Sequence, residues 1–157
     1  ERVVPAVYAR GAGVAHYLEE VPRVRGLLVD QVHVAAALLD TAALAGSAVH
    51  RELAEELMRS ALRKLTDPRS GGLLDRLRTS AGAGDVGLLG DPLVPYALNC
   101  EAARVLARLG RETGQADLTD AARRVLGSQT ASFLAQGPLA AEYALAWLDL
   151  QGDGGPG

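Results

Sequence analysis

Two kinds of helix take turns along this chain, and that alternation limits the folds open to it. Val29 to Ala45 is apolar almost throughout (VDQVHVAAALLDTAALA). His50 to Leu65 (HRELAEELMRSALRKL) instead places Leu53, Leu57, Ala61 and Leu65 on one stripe, with charge elsewhere. The pair recurs: Leu98 to Leu109 (LNCEAARVLARL) is the more buried type and Asp117 to Phe133 the more amphipathic one. A helix apolar on nearly all sides needs cover on most of them, whereas a one-striped helix can face water. Alternation therefore predicts two layers, inner helices lining a core and outer helices shielding it. The expected fold class is all-α, built from helical hairpins, with a short β-hairpin near the start.

The chain has 157 residues, which bounds it to one domain or part of one. Its apolar mass is mostly Ala, Leu and Val, with one Phe and one Trp, so helices can approach closely but aromatic anchors are few. A net charge of −3, with Arg spread through both halves, leaves no electrostatic footprint for nucleic acid. No membrane span is expected, because Asp30, Gln31, His33 and Asp40 interrupt the best apolar run. Cys100 is the only cysteine, which excludes an intramolecular disulfide and fits a reducing, cytoplasmic setting. The chain opens on Glu1 with no secretory leader, and the expectation is a segment of a longer protein.

Residues 1–26 read as an opening segment. Val3 to Tyr8 and Val14 to Leu18 are β-compatible runs around Arg10-Gly11-Ala12-Gly13, which predicts a hairpin, with Pro5 keeping the first strand at an edge. The helical region spans 27–150. Gly46 stops the first long helix, since glycine accepts the positive φ of a helix C-terminus, and Ser47 is placed to cap the second. Pro68 ends that helix, and Leu73 to Leu77 reads as a short extended piece. Thr79 to Gly90 is a Gly- and Ala-rich loop. Pro92 and Pro95 stand where the third helix begins, and Gly114 stops it. Asp117 is expected to cap the fourth helix, with Asp120 in its first turn, and Gly137-Pro138 breaks the chain before a fifth helix over Leu139 to Leu150. Residues 151–157 form a Gly-rich tail. Two internal echoes suggest a repeat: LLDTAALAGS corresponds to LARLGRETGQ, with Gly46 matching Gly114, and DPLVPYAL to GPLAAEYAL. A tetratricopeptide array, which repeats at about 34 residues, is disfavoured by the stretch from Thr79 to Gly90.

Four segments in this order, GLLVDQVHVAAALLDTAALAG, an outer helix, DPRSGGLLDRL and GLLGDPLVPYALNCEAARVLARLGRETGQ, resemble the α/α-toroid domain of the spermatogenesis-associated, thioredoxin-domain-containing protein family. The carrying residues are Asp30 and Gly46, then Asp67, Gly71, Gly72 and Asp75, then Pro92, Pro95 and Asn99. The resemblance implies the later hairpins of an (α/α)6 toroid, of the kind found in N-acylglucosamine 2-epimerases and six-hairpin glycosidases. It departs from the family in reading VPYALNCE where a P-S-G-N-S type sequence is usual, and in having no C-x-x-C of its own.

In such toroids the ligand pocket lies at one end of the inner helices. The resemblance therefore points to His33, Asp30 and Asp75 as catalytic candidates, and to Gln31, Arg76, Tyr96, Asn99 and Glu142 as ligand-binding ones, with Tyr143 nearby. Each has a plainer reading. Asp30 at a helix start satisfies free N–H groups and the dipole, and this is the stronger of its two readings. His33 can transfer protons near neutral pH, as epimerases of this class use histidine, but a core histidine bonded to a neighbour is commoner. Asp75 and Arg76 can grip sugar hydroxyls or form a surface ion pair, and the residues do not decide between them. Asp30 and Asp75 as a glycosidase pair is disfavoured, because no aromatic platform accompanies them. Cys100 reads as a small buried hydrophobe. His16, His33 and His50 show no metal-ligand spacing, and no phosphate-cradling loop is present, so no metal or cofactor is expected. The expected partners are the remainder of the toroid or a second copy of the chain, and a carbohydrate ligand. The competing function is a non-catalytic interaction module that self-associates through apolar helix faces.

Overall fold

The structure is a computed structural model that describes residues 3–77 and 91–152. Among the described residues it is mainly helical, with six α-helices and a small antiparallel sheet near the start. The order is α1 (Val3–Val7), β1 (Tyr8–Ala9), β2 (Gly13–Leu18), β3 (Pro22–Arg25), α2 (Leu28–Ala45), α3 (Ala48–Leu65), α4 (Tyr96–Thr113), α5 (Ala116–Gly127), a 3-10 segment (Thr130–Leu139) and α6 (Ala140–Gln151). The Thr79–Gly90 loop and most of the Gly-rich tail lie outside the described residues.

Helices α2 and α3 form one hairpin and α4 and α5 another, each joined by a short turn. Both inner helices end on a glycine in the left-handed region, Gly46 at φ 62° and Gly114 at φ 70°. α4 packs on α2, α5 and α6, so the core lies between the two hairpins. Leu28, Leu39, Leu57, Met58, Leu106 and Leu109 are wholly or almost wholly buried there. Among the described residues α2 is the one helix long and apolar enough to cross a membrane by length and composition. Asp30 and Asp40 leave its average apolar, contrary to the expectation from the sequence. In the fold it is an inner helix, with Val32, Ala35 and Leu39 turned into the core.

A repeat of 68 residues organises the array. α2 and α4 are 18 residues each and start and stop at this spacing. Two cross-helix side-chain pairs, His33–Glu101 and Asp40–Arg108, both span 68 residues. Equal spacing at both ends means that α2 and α4 run parallel. The outer helices are tied by Arg59, which donates to Glu55 at 2.7 Å, to Asp117 at 2.7 Å and to Gln115.

Three local expectations are corrected. Val3–Val7 is helical rather than extended: Pro5 falls in a first helical turn, where its missing N–H is not needed. The hairpin survives as Tyr8–Ala9 against Gly13–Val14, and Pro22–Arg25 adds a third strand. Asp117 does not cap α5. Gln115 holds that position and Asp117 lies in the first turn, where Arg59 keeps its carboxyl below the usual range. The fourth helix stops at Gly127 rather than Phe133: glycine is a poor helix former, and the Gln129 N–H turns to the Leu126 carbonyl, the pattern of the 3-10 segment that follows. Ser128 Oγ donates to the Val125 carbonyl at 2.6 Å, and Ser132 Oγ to the Gln129 carbonyl at 3.0 Å. Ser47 does occupy the position before α3, but its side chain makes no cap bond.

The β-hairpin is fastened to α3 through Glu56. The Tyr8 hydroxyl donates to Glu56 Oε2 at 2.6 Å and the Gly11 N–H to Oε1 at 3.0 Å. Burial, then the Glu56 carboxylate, pushes the Tyr8 hydroxyl up to about 12 from its ordinary 10.0. The same hydroxyl holds Glu56 below the usual carboxylate range. A raised Tyr8 stabilises the fold below its unfolded pKa and loses that contribution as pH climbs through the folded value. A lowered Glu56 contributes above its unfolded pKa and loses that as pH falls. Urea midpoints measured against pH should therefore decline on both limbs, and Tyr8→Phe should flatten the alkaline limb. An alkaline limb unchanged in Tyr8→Phe would show that the tether contributes nothing.

Candidate functional site

The N-terminal ends of the inner helices, where the sequence points to a pocket, are filled by extended chain. At the fourth residue of each inner helix a buried carboxamide clamps one residue of that chain. Gln31 accepts from the Val14 N–H at 3.0 Å and donates to the Val14 carbonyl at 3.1 Å and the Leu27 carbonyl at 3.2 Å. Asn99, 68 residues later on the repeat set by the cross-helix pairs, accepts from the Leu73 N–H at 2.7 Å. It donates to the carbonyls of Leu73 at 2.9 Å and Pro95 at 2.8 Å. Both side chains meet backbone with the same atoms, so neither presents its amide to a ligand.

Asp75 and Asp30 at this end also have partners within the fold. Asp75 Oδ1 accepts from the Leu93 N–H at 2.8 Å, while its Oδ2 pairs with Arg76 at 2.9 Å. Its backbone carbonyl accepts from the Leu28 N–H at 2.8 Å, closing the start of α2. Asp30 lies in the first turn of α2 and pairs with His16 Nδ1 at 3.0 Å. Tyr96 is buried beside Cys100, and burial raises its hydroxyl. Cys100 is fully buried, and burial, with Glu142 and Glu101 nearby, pushes its thiol up to about 11, so it stays protonated and inert at neutral pH. Glu142 is half-buried at the start of α6. Tyr143 meets Thr130 at 3.0 Å and stacks near Phe133, ring centres 5.2 Å apart.

Of the predicted catalytic residues, His33 opens onto a cavity. A groove of about 480 Å³ runs along the flank of α2 and α4 and reaches the end of α6. Its floor is Val32, Ala36, Leu39 and Val105, and its walls carry charges of both signs. His33 Nε2 meets Glu101 Oε2 at 3.0 Å, Arg104 meets Asp149 at 2.7 Å and Arg108 meets Asp40 at 2.6 Å. Arg108 is also held by Glu112 at 2.8 Å, and Arg111 donates to the Asp149 carbonyl at 3.2 Å. Burial works against the Arg108 charge, but Asp40 and Glu112 outweigh it and raise its pKa. His33 is exposed rather than buried in the core, with its side chain 60% accessible. A neutral His33 that donates Nε2–H to Glu101 has its lone pair on Nδ1, the form a proton acceptor needs.

The groove residues Asp40, Glu101, Arg104, Arg108, Arg111 and Asp149 were not among the sequence candidates. The 68-residue correspondence carried a signal for two of the contacts, since it sets His33 beside Glu101 and Asp40 beside Arg108 with opposite charges. Among the described residues no group of three or more His, Cys, Asp or Glu is arranged to hold a metal ion. No family model matches the chain, and no curated protein matches its sequence.

Proposed function

We propose that this chain is a section of an α/α toroid whose inner groove, between α2 and α4, holds an uncharged polyhydroxylated ligand of the carbohydrate class. In this reading His33 transfers a proton. The parallel inner helices at a 68-residue repeat support the toroid part. The observation that carries the ligand class is the pairing of the groove's arginines: Arg104 and Arg108 each face a carboxylate within 3.0 Å, and His33 Nε2 meets Glu101 at 3.0 Å. A polyanion would meet Asp40, Glu101 and Asp149, and a polycation would meet the guanidinium groups. A sugar hydroxyl both donates and accepts, so it can bridge each pair without leaving a charge unmatched. Glu101 orients the His33 ring and fixes its tautomer, leaving Nδ1 to take a proton from a bound substrate and return it. Asp30 and Asp75, held by His16 and by the Leu93 backbone, support the ends of the groove's helices instead.

A thermal-shift panel of neutral mono- and disaccharides, with sugar phosphates and heparin as charged controls, tests this. A ligand at a hundredfold excess over its Kd adds about 2.7 kcal/mol, or roughly 5–10 °C for a domain of this size. Arg108→Ala should abolish that shift. His33→Ala should keep much of it while stopping exchange of the substrate's carbon-bound hydrogen in heavy water. No shift with any neutral sugar, or an equal shift in Arg108→Ala, would sink the proposal.

A further inference from the structure

We infer that the α6 edge of the array docks onto the α1–α2–α3 edge of a second copy of this chain, head to tail. α6 buries only Ala146 within the fold. Leu145, Trp147 and Leu148 on one broad face of it are 43%, 50% and 59% exposed, and Leu134 of the preceding segment is 90% exposed. At the opposite edge an open groove of about 750 Å³ runs between α1 and the α2–α3 hairpin, walled mainly by Val34, Ala37, Leu38, Val49 and Leu53.

The internal repeat identifies the occupant. α4 lies on α2, and α6 lies on α4. The contacts of Tyr96 and Cys100 with the start of α6, and of Arg104 and Arg111 with its end, show that α6 also runs parallel to α4. The free face of α6 is therefore the one a following inner helix covers, and the free face of α2 the one a preceding helix covers. A second copy supplies one to the other and continues an interface the chain already makes twice. Charge agrees with this. From Thr130 to Leu148 the only charged side chain is Glu142, which lies on the α4 side near Cys100, so the free face of α6 carries none. The facing groove likewise has no carboxylate, Lys or Arg in its walls. Because the two surfaces differ, the contact is heterologous and adds copies into a ring or an open row. His33 borders both grooves, but Ala37 and Leu148 lie outside the sugar groove, so variants at those two positions test this contact separately from the sugar-binding reading.

Sedimentation velocity across the micromolar range tests the contact. The wild-type mass should rise with concentration. Leu148→Asp and Ala37→Asp, both at exposed positions, should each weaken association by at least about tenfold. Each variant keeps one intact surface, so an equimolar mixture should form a dimer and nothing larger. Circular dichroism checks that each variant folds, and Trp147→Glu with Thr41→Glu replaces any that does not. A wild type that stays monomeric, a single variant that still assembles, or a mixture that stays monomeric would overturn the inference; the first outcome would leave both edges to another partner.

Discussion

Asn99→Ala should cost about 3 kcal/mol or more of stability, read as the shift of a urea unfolding curve at constant slope. The Leu73 N–H and carbonyl are bonded to the Asn99 side chain at 2.7 and 2.9 Å, and Asn99 itself is fully buried. Alanine leaves both backbone groups in the core without that partner, at about 1–3 kcal/mol for each buried group left unmade. Asn99→Leu fills the volume but not the bonds, so it should do no better, and Asn99→Asp keeps the acceptor while losing both donors and burying a charge. The repeat offers an internal control. Gln31→Ala breaks the equivalent clamp on Val14, at the sheet rather than between the hairpins, and should cost about 2 kcal/mol. An Asn99→Ala midpoint within about 0.5 kcal/mol of wild type would remove the clamp from any account of this fold.

Gly110→Ala should destabilise by about 2 kcal/mol, although alanine is the better helix former by about 1 kcal/mol. Gly110 lies near the end of α4, where the first turn of α5 passes closest. A Cβ there would overlap Thr119 Oγ1, and it would stand 3.0 Å from the Thr119 backbone nitrogen and 3.2 Å from the Gln115 carbonyl. The hydroxyl can move but the backbone cannot, so α5 would have to shift away from α4, and forced overpacking of this kind costs about 1–3 kcal/mol. The double variant Gly110→Ala, Thr119→Ala should recover part of the loss, giving a coupling above about 0.5 kcal/mol in a mutant cycle. A single variant more stable than wild type would show that the hairpin tolerates a wider spacing.

The clamp also shows why the polar candidates were hard to sort from the sequence. Gln31 and His33 lie two residues apart on an apolar helix, and either could face a ligand. What separates them is the chain opposite: the Val14 backbone for Gln31 and the Glu101 carboxylate for His33. Asp75 was evenly poised between a sugar contact and an ion pair. The Leu93 N–H, 18 residues away, takes one of its oxygens and Arg76 the other. Asp40 and Arg108 are not legible as site residues, because each alone is an ordinary charge on a helix.

The local features were legible because they depend on residues within a turn or two of one another. Apolar spacing marked the four long helices, and glycines that accept positive φ marked the ends of α2 and α4 at Gly46 and Gly114. The correspondence of LLDTAALAGS with LARLGRETGQ already held the spacing at which the inner helices repeat. Local pattern failed where local forces compete, at the Ser128–Ser132 stretch that ends α5 and at Val3–Val7. Tertiary structure alone decided which polar groups meet backbone and which line a groove. A side chain's role is set by the partner that satisfies it, and the partners that decide lie as far as 68 residues away in the chain.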